Sequence, residues 1–259
     1  MRLLIWLPLL CWLNPLHAQN PVSIEQELRS YFEKIDYWAH FNDSAHPDIS
    51  KFDSLEAANQ VFRSSLLAHT AAYPATMSYD FKELEALGLR IRTSLDRQFR
   101  IYSWDTHTGG TAHVYEAVFQ YKSDNKVYSK TIHGPEGDFG RWYSNIYQLK
   151  TEQHTYYLGL YHAVFSGKDH YQGVKLFTIE NSTLKDKVRL FKTRTGVKNE
   201  LGFSFNFFSV ANRSERPVKL IYYEEDEQKL SLPEVMQDGK VTKKIMVYQF
   251  DGENFVQIQ

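Results

Sequence analysis

The sequence predicts a mainly β protein of the α+β class, with N-terminal helices packed on a dozen-stranded antiparallel β-meander. Three observations carry this. Apolar residues recur at helical spacing as far as Gly88 and at a period of two from Leu89 onward. The chain holds 17 Tyr and 17 Phe against 13 Gly and 8 Pro in 259 residues, a composition suited to a packed core and not to disorder. The period-2 segments are separated by short turn pairs and never by a helical pattern, so they join antiparallel neighbours. Closure into a barrel, a sandwich or propeller-like blades stays open at this point.

Residues 1–18, MRLLIWLPLLCWLNPLHA, read as a signal peptide: Arg2 supplies the positive start, 3–13 is apolar apart from Pro8, and Leu16-His17-Ala18 offers a cleavage site before Gln19. The apolar run falls well short of the roughly 20 residues that span a bilayer, so no membrane span is expected in the mature chain. Cleavage would remove Cys11, the one cysteine, leaving a mature chain with no disulfide, no thiol nucleophile and no thiolate metal site. It would also lower the formal charge from −1 to about −2, too near neutral for electrostatic nucleic-acid binding. A periplasmic or secreted location follows as an expectation.

Residues 19–88 form the helical segment. Ser23 with Gln26 three residues on reads as a capping pair, and Ile24, Leu28, Phe32 and Ile35 make one stripe. Asp53 with Glu56 marks a second start, followed by Leu55, Ala58, Phe62 and Leu66. A third short helix over 81–87 is bracketed by Asp80 and Gly88, and 40–50 reads as a loop. These stripes need a larger partner to cover them.

Residues 89–259 form the β domain. Strands are predicted at 98–104, 112–121, 126–132, 142–150, 155–164, 172–180, 187–193, 202–210, 217–223, 227–232, 243–250 and 254–258. An offset of 58 lays Thr108-Gly109 on Ser166-Gly167, Val118-Phe119 on Leu176-Phe177 and Ser123-Asp124 on Asn181-Ser182. The last hairpin, from Val247 through Asp251-Gly252 to Val256, repeats the form at a different spacing, and any meander of hairpins aligns with itself this well, so true duplication and a plain meander both stay open.

The densest polar constellation is the loop 105–113, DTHTGGTAH. Asp105, His107 and His113 are the candidate catalytic residues, since a carboxylate and two imidazoles supply acid–base chemistry or hold a zinc-like ion. Their spacing matches no metal motif, and a hairpin connection with Gly109 at positive φ explains the same residues. No metal and no cofactor is expected. His162 and His170 occupy the matching region of the second unit and are the candidate binding residues, although His162 lies within a strand. The loop 133–140 has the composition of a lid or a plain connection. The acidic run 224–227 lacks calcium-loop spacing and reads as a solvated turn. No Gly-x-Ser-x-Gly elbow and no phosphate loop occurs, and sequons lie at Asn42, Asn181 and Asn212.

Two stretches, Phe99-Arg100-Ile101-Tyr102-Ser103-Trp104-Asp105-Thr106 with the Thr-Gly-Gly-Thr at 108–111, and the run 190–222, resemble segments of exported β-rich proteins from Bacteroidota-type bacteria. The resemblance spans most of 89–258. It implies an envelope or extracellular location; no activity is attached to that group, so it transfers no catalytic residue.

Two functional classes follow. The first is a non-catalytic envelope or binding protein whose Tyr- and Trp-bearing strands meet a glycan or peptide ligand. The alternative is a secreted hydrolase acting on glycan or peptide through the Asp/His loop. Convergence of His107, His113, His162 and His170 at one end of the sheet discriminates them.

Overall fold

Residues 20–259 are described by a computed structural model; the signal segment expected at 1–18 lies outside them. Helix α1 (Pro21–Ala39) starts at Pro21 because the Asn20 side chain accepts the Ser23 N–H at 2.8 Å. The cap is thus Asn20, three residues before the expected Ser23. Helix α2 (Lys51–Ala72) is capped by Ser50, not Asp53, in the same way. Both predicted stripes are buried, and Phe32 meets Phe62 edge-on at 4.9 Å.

Helix α3 (Lys82–Ala86) begins differently from expectation. Its N-cap residue, Phe81, has left-handed φ and caps nothing with its side chain. The buried Glu25 of α1 instead accepts the N–H groups of Glu83 (2.8 Å) and Leu84 (3.3 Å), and the Tyr79 hydroxyl at 2.6 Å. A carboxylate borrowed from a neighbouring helix therefore satisfies donors that Asp80 was expected to serve.

The strands make three sheets that do not close into a barrel, which removes that option; 40% of residues are strand and 23% helix. The first sheet runs in order from β1 (Arg90–Thr93) through β2 (Phe99–Asp105) and β3 (Tyr115–Ser123) to β4 (Lys126–Thr131). The second is built from β5 (Trp142–Lys150), β6 (Thr155–Val164), β7 (Asp169–Glu180) and β8 (Thr183–Lys185). Next in the chain are β9 (Phe191–Thr193), β10 (Gly196–Lys198) and β11 (Glu200–Asn206), the last of which pairs with β7. The third sheet uses β12 (Tyr222–Glu224), β13 (Lys229–Val235), β14 (Val241–Phe250) and β15 (Phe255–Gln257), extended by β9 and β10. The chain thus has three extra strands beyond three four-stranded meanders. One pair, β9 with β15, is parallel, so the sheets are not a pure meander. The predicted segment 187–193 contains only β9, and 202–210 ends in a 3-10 turn at Phe207–Ser209. None of β1, β8 and β10 is predicted as a separate strand from the sequence.

Side-chain alternation stacks these layers in series. On β2, Tyr102 and Trp104 face the helices, while Phe99 and Ile101 face the second sheet. On β6, Tyr157 and Tyr161 face the first sheet, while Leu158 and Leu160 face the third. Burial on both faces explains why β6 reads as one continuous apolar run. Edge contacts lock the stack: Ser103 Oγ accepts the Tyr143 N–H at 3.2 Å, and Glu225 Oε1 accepts the Gln148 N–H at 2.8 Å. The acidic run at 224–227 is therefore more than a solvated turn.

The expected offset of 58 is not kept at the hairpin turns. The left-handed turn residues are Asp124-Asn125 and Asn181-Ser182, an offset of 57, not 58. A one-residue slip exchanges the two faces of a strand. Backbone direction agrees: the Lys122 N–H turns back toward Gln98, so Phe119 directs its backbone outward, as Leu176 does in donating to Asn199. Phe119 faces the second sheet and Leu176 the third, so each sheet presents the same face to the next. The helices cover the face of the first sheet that no preceding sheet covers.

Candidate functional site

The loop after β2 carries the first group of candidates. Asp105 Oδ2 pairs with His113 Nδ1, and Asp105 Oδ1 accepts the His107 N–H at 2.9 Å. His107 itself sits at φ 58° and is exposed. An Asp side chain closing onto the backbone two residues on is what makes this turn. Gly109 does not have positive φ; Gly110 does, at 64°. Gly109 is required for closeness instead, because a Cβ there would lie 2.2 Å from the Ala112 carbonyl oxygen.

His113 then bridges to the second sheet, its N–H donating to the Val164 carbonyl at 3.0 Å. Val164 is the register partner of His170, so three of the four imidazoles gather at one end of β6. They do not share one centre. His162 is buried, stacks on Trp142 at 4.1 Å and 8°, and reaches Ser144 Oγ at 2.9 Å. The Arg90 guanidinium also lies over the Trp142 ring, 4.1 Å from its centroid. Burial, with Arg90 and His170 nearby, pulls the His162 imidazolium down to a pKa of about 3, so it is neutral. His170 stacks on Phe207 at 4.6 Å, and burial and His113 lower its pKa. Among the described residues no group of three or more His, Cys, Asp or Glu side chains is placed to hold a metal ion.

The concave feature of this region lies beside that end and was missed by sequence reasoning. A cleft of about 530 Å³ opens between the first two sheets, within the roughly 300–1,000 Å³ of small-molecule sites. Its floor is Phe119 and Tyr143; β3, β7 and the start of β11 supply Glu116, Lys175 and Glu200, and α2 supplies Arg63. The loop 133–140, expected to be a lid or a connection, contributes His133, Gly134, Pro135, Asp138 and Gly140 to the wall. Tyr115 joins cleft and loop: it lines the cleft and stacks with His113 at 6.0 Å.

The cleft walls are ion pairs. Arg63 holds Glu116, Lys175 holds Asp186 at 3.2 Å, and Arg141 holds Glu200 at 2.9 Å with Asp138 at 3.7 Å. Arg141 also lies 4.4 Å from the Tyr161 ring centroid. Burial raises the Glu116 carboxyl above the usual range, against the pull of Arg63, and its Oε2 is buried with no hydrogen-bond partner. A signal for these residues exists in the sequence: Glu116 between Tyr115 and Ala117, and Lys175 between Val174 and Leu176, are charges inside otherwise apolar strands. What the sequence does not reveal is that α2 and β11 bring partners to them. No protein-family model, no curated protein and no solved structure matches this chain, so the reading of the cleft rests on its own chemistry.

Proposed function

We propose that the chain is an exported, non-catalytic binding protein whose ligand, a glycan or peptide, occupies the cleft between the first two sheets. The observation that carries this is the cleft itself, whose charged side chains are tied in pairs across separate elements. Such pairs are pre-organised donors and acceptors, which recognise a polar ligand without reorganising. Isothermal titration of the chain with short oligosaccharides and peptides tests it. Saturable binding that Arg141→Ala abolishes is the expected result, whereas unchanged binding in a folded Arg141→Ala variant places the ligand elsewhere. Export rests on residues 1–18; mass spectrometry of natively produced protein should find the chain beginning near Gln19, and an intact Met1 would contradict it.

A second reading, a secreted hydrolase, draws support from the Asp105–His113 pair. The carboxylate orients the imidazole and leaves Nε2 free to take a proton, the arrangement a general base needs. Release of product from glycan or peptide substrates, lost in His113→Ala, would favour it over binding alone.

A further inference from the structure

We infer that the ligand of the cleft is a neutral polyhydroxylated molecule, a short saccharide, with Glu116 and Lys187 among the groups that hold its hydroxyls; this deepens the binding reading above and rests on it. Charge comes first. Four cationic and four anionic side chains line the cleft, so their formal charges cancel. A ligand of strong net charge would meet no complementary field, and recruiting one member of a pair would leave the other half-buried charge uncompensated. A ligand without net charge leaves every pair intact.

Hydrogen bonding comes next. A hydroxyl both donates and accepts, so a saccharide is matched by a wall where donors and acceptors alternate. Here the Arg141 guanidinium stands against the Glu200 and Asp138 carboxylates, with Asn199 beside them. On the opposite wall Glu116 Oε2 lacks a donor although its other oxygen is held by Arg63. A buried acceptor left unpaired is costly, and the terminal torsion of Glu is soft enough to turn that oxygen toward an arriving hydroxyl. Lys187, exposed at the rim, has no hydrogen-bond or ion-pair partner among the described residues and offers a further donor.

The apolar surface argues against a peptide. In strand-wise peptide recognition, main-chain hydrogen bonds give affinity and pockets for alternate side chains give specificity. The apolar floor of this cleft is closed, since Phe119 is 3% and Tyr143 2% exposed. No pocket remains there for a leucine or an aromatic ring.

Titration calorimetry of the full chain with cellotriose, maltotriose and chitotriose, and with an uncharged hexapeptide in parallel, tests the inference. At least one trisaccharide should bind and the peptide should not. Glu116→Gln should weaken that binding about tenfold, as expected for one hydrogen bond to a charged group. Because loss of the Arg63 partner can unfold the variant, Lys187→Ala, at an exposed side chain, serves as the second variant and should weaken binding several-fold. Trisaccharide binding unchanged in both variants overturns the inference. Peptide binding with no saccharide binding also overturns it, while the binding reading survives. Absence of both defeats the binding reading itself, and release of reducing sugar overturns the non-catalytic assignment while leaving the ligand class standing.

Discussion

His162 shows what burial does to a residue that the sequence offers as a binding group. Its ring is sandwiched against Trp142 and hydrogen-bonded to Ser144, and burial is the main cause of its pKa of about 3. The unfolded imidazole titrates near 6.5, so between these values the unfolded chain binds the extra proton. The sign is therefore a loss of stability as pH falls from 6.5 toward 3, with the full contribution present above 6.5. Urea unfolding at pH 7.5 and 5 should show this loss, and His162→Gln, which keeps a partner for Ser144, should shrink it. An unchanged pH dependence in the variant would assign the effect elsewhere. From the sequence His162 reads as a packed or half-exposed strand histidine; the indole that covers it comes from the neighbouring strand, Trp142 being its register partner.

At the scale of elements, helix and strand positions were legible wherever one face is consistently apolar. The segments 142–150 and 155–164 match β5 and β6 as predicted. Legibility failed at helix starts and at short strands. Helix α3 has five residues, too few to hold itself together, and its N-terminus is satisfied from α1 by Glu25. Glu25 lies only one residue past Ile24 in the apolar stripe, and nothing local marks it as a cap for a helix more than fifty residues away. Replacing it tests this role. Glu25→Ala should cost about 1–3 kcal/mol, because two backbone donors and the Tyr79 hydroxyl lose their acceptor in a buried setting. Glu25→Gln keeps a carbonyl acceptor and should lose less; equal costs measured by denaturant titration would argue for a charge effect instead.

For the whole molecule, the series of helices and three sheets makes the first sheet dependent on the helical layer. Trp104, buried on that face, donates its indole N–H to Asn59 of α2 at 3.0 Å. Gln120 reaches Thr70 and Thr76, and the buried Arg100 guanidinium donates to the carbonyls of Thr76, Met77 and Tyr79. A chain beginning at residue 89 would expose the apolar face and orphan a buried charge together. It should aggregate or bind a hydrophobic dye with loss of near-ultraviolet circular dichroism. A monomeric, cooperatively unfolding fragment would instead make the β region a domain in its own right.

The mainly β class, the switch from helix to strand near Gly88 and most element positions are legible in the sequence, because hydrophobic period is a local property set by which side of each element is dry. The sequence also marked the end of the sheets where His113, His162 and His170 gather. The stacking of the layers in series without closure, the 57-residue spacing of the two hairpin turns and the meeting of Glu116, Arg141 and Lys175 in one cleft come from the three-dimensional arrangement. Those outcomes depend on pairings between residues far apart in the chain, such as Arg63 with Glu116 and Arg141 with Glu200, and periodicity records which face is buried without recording what covers it.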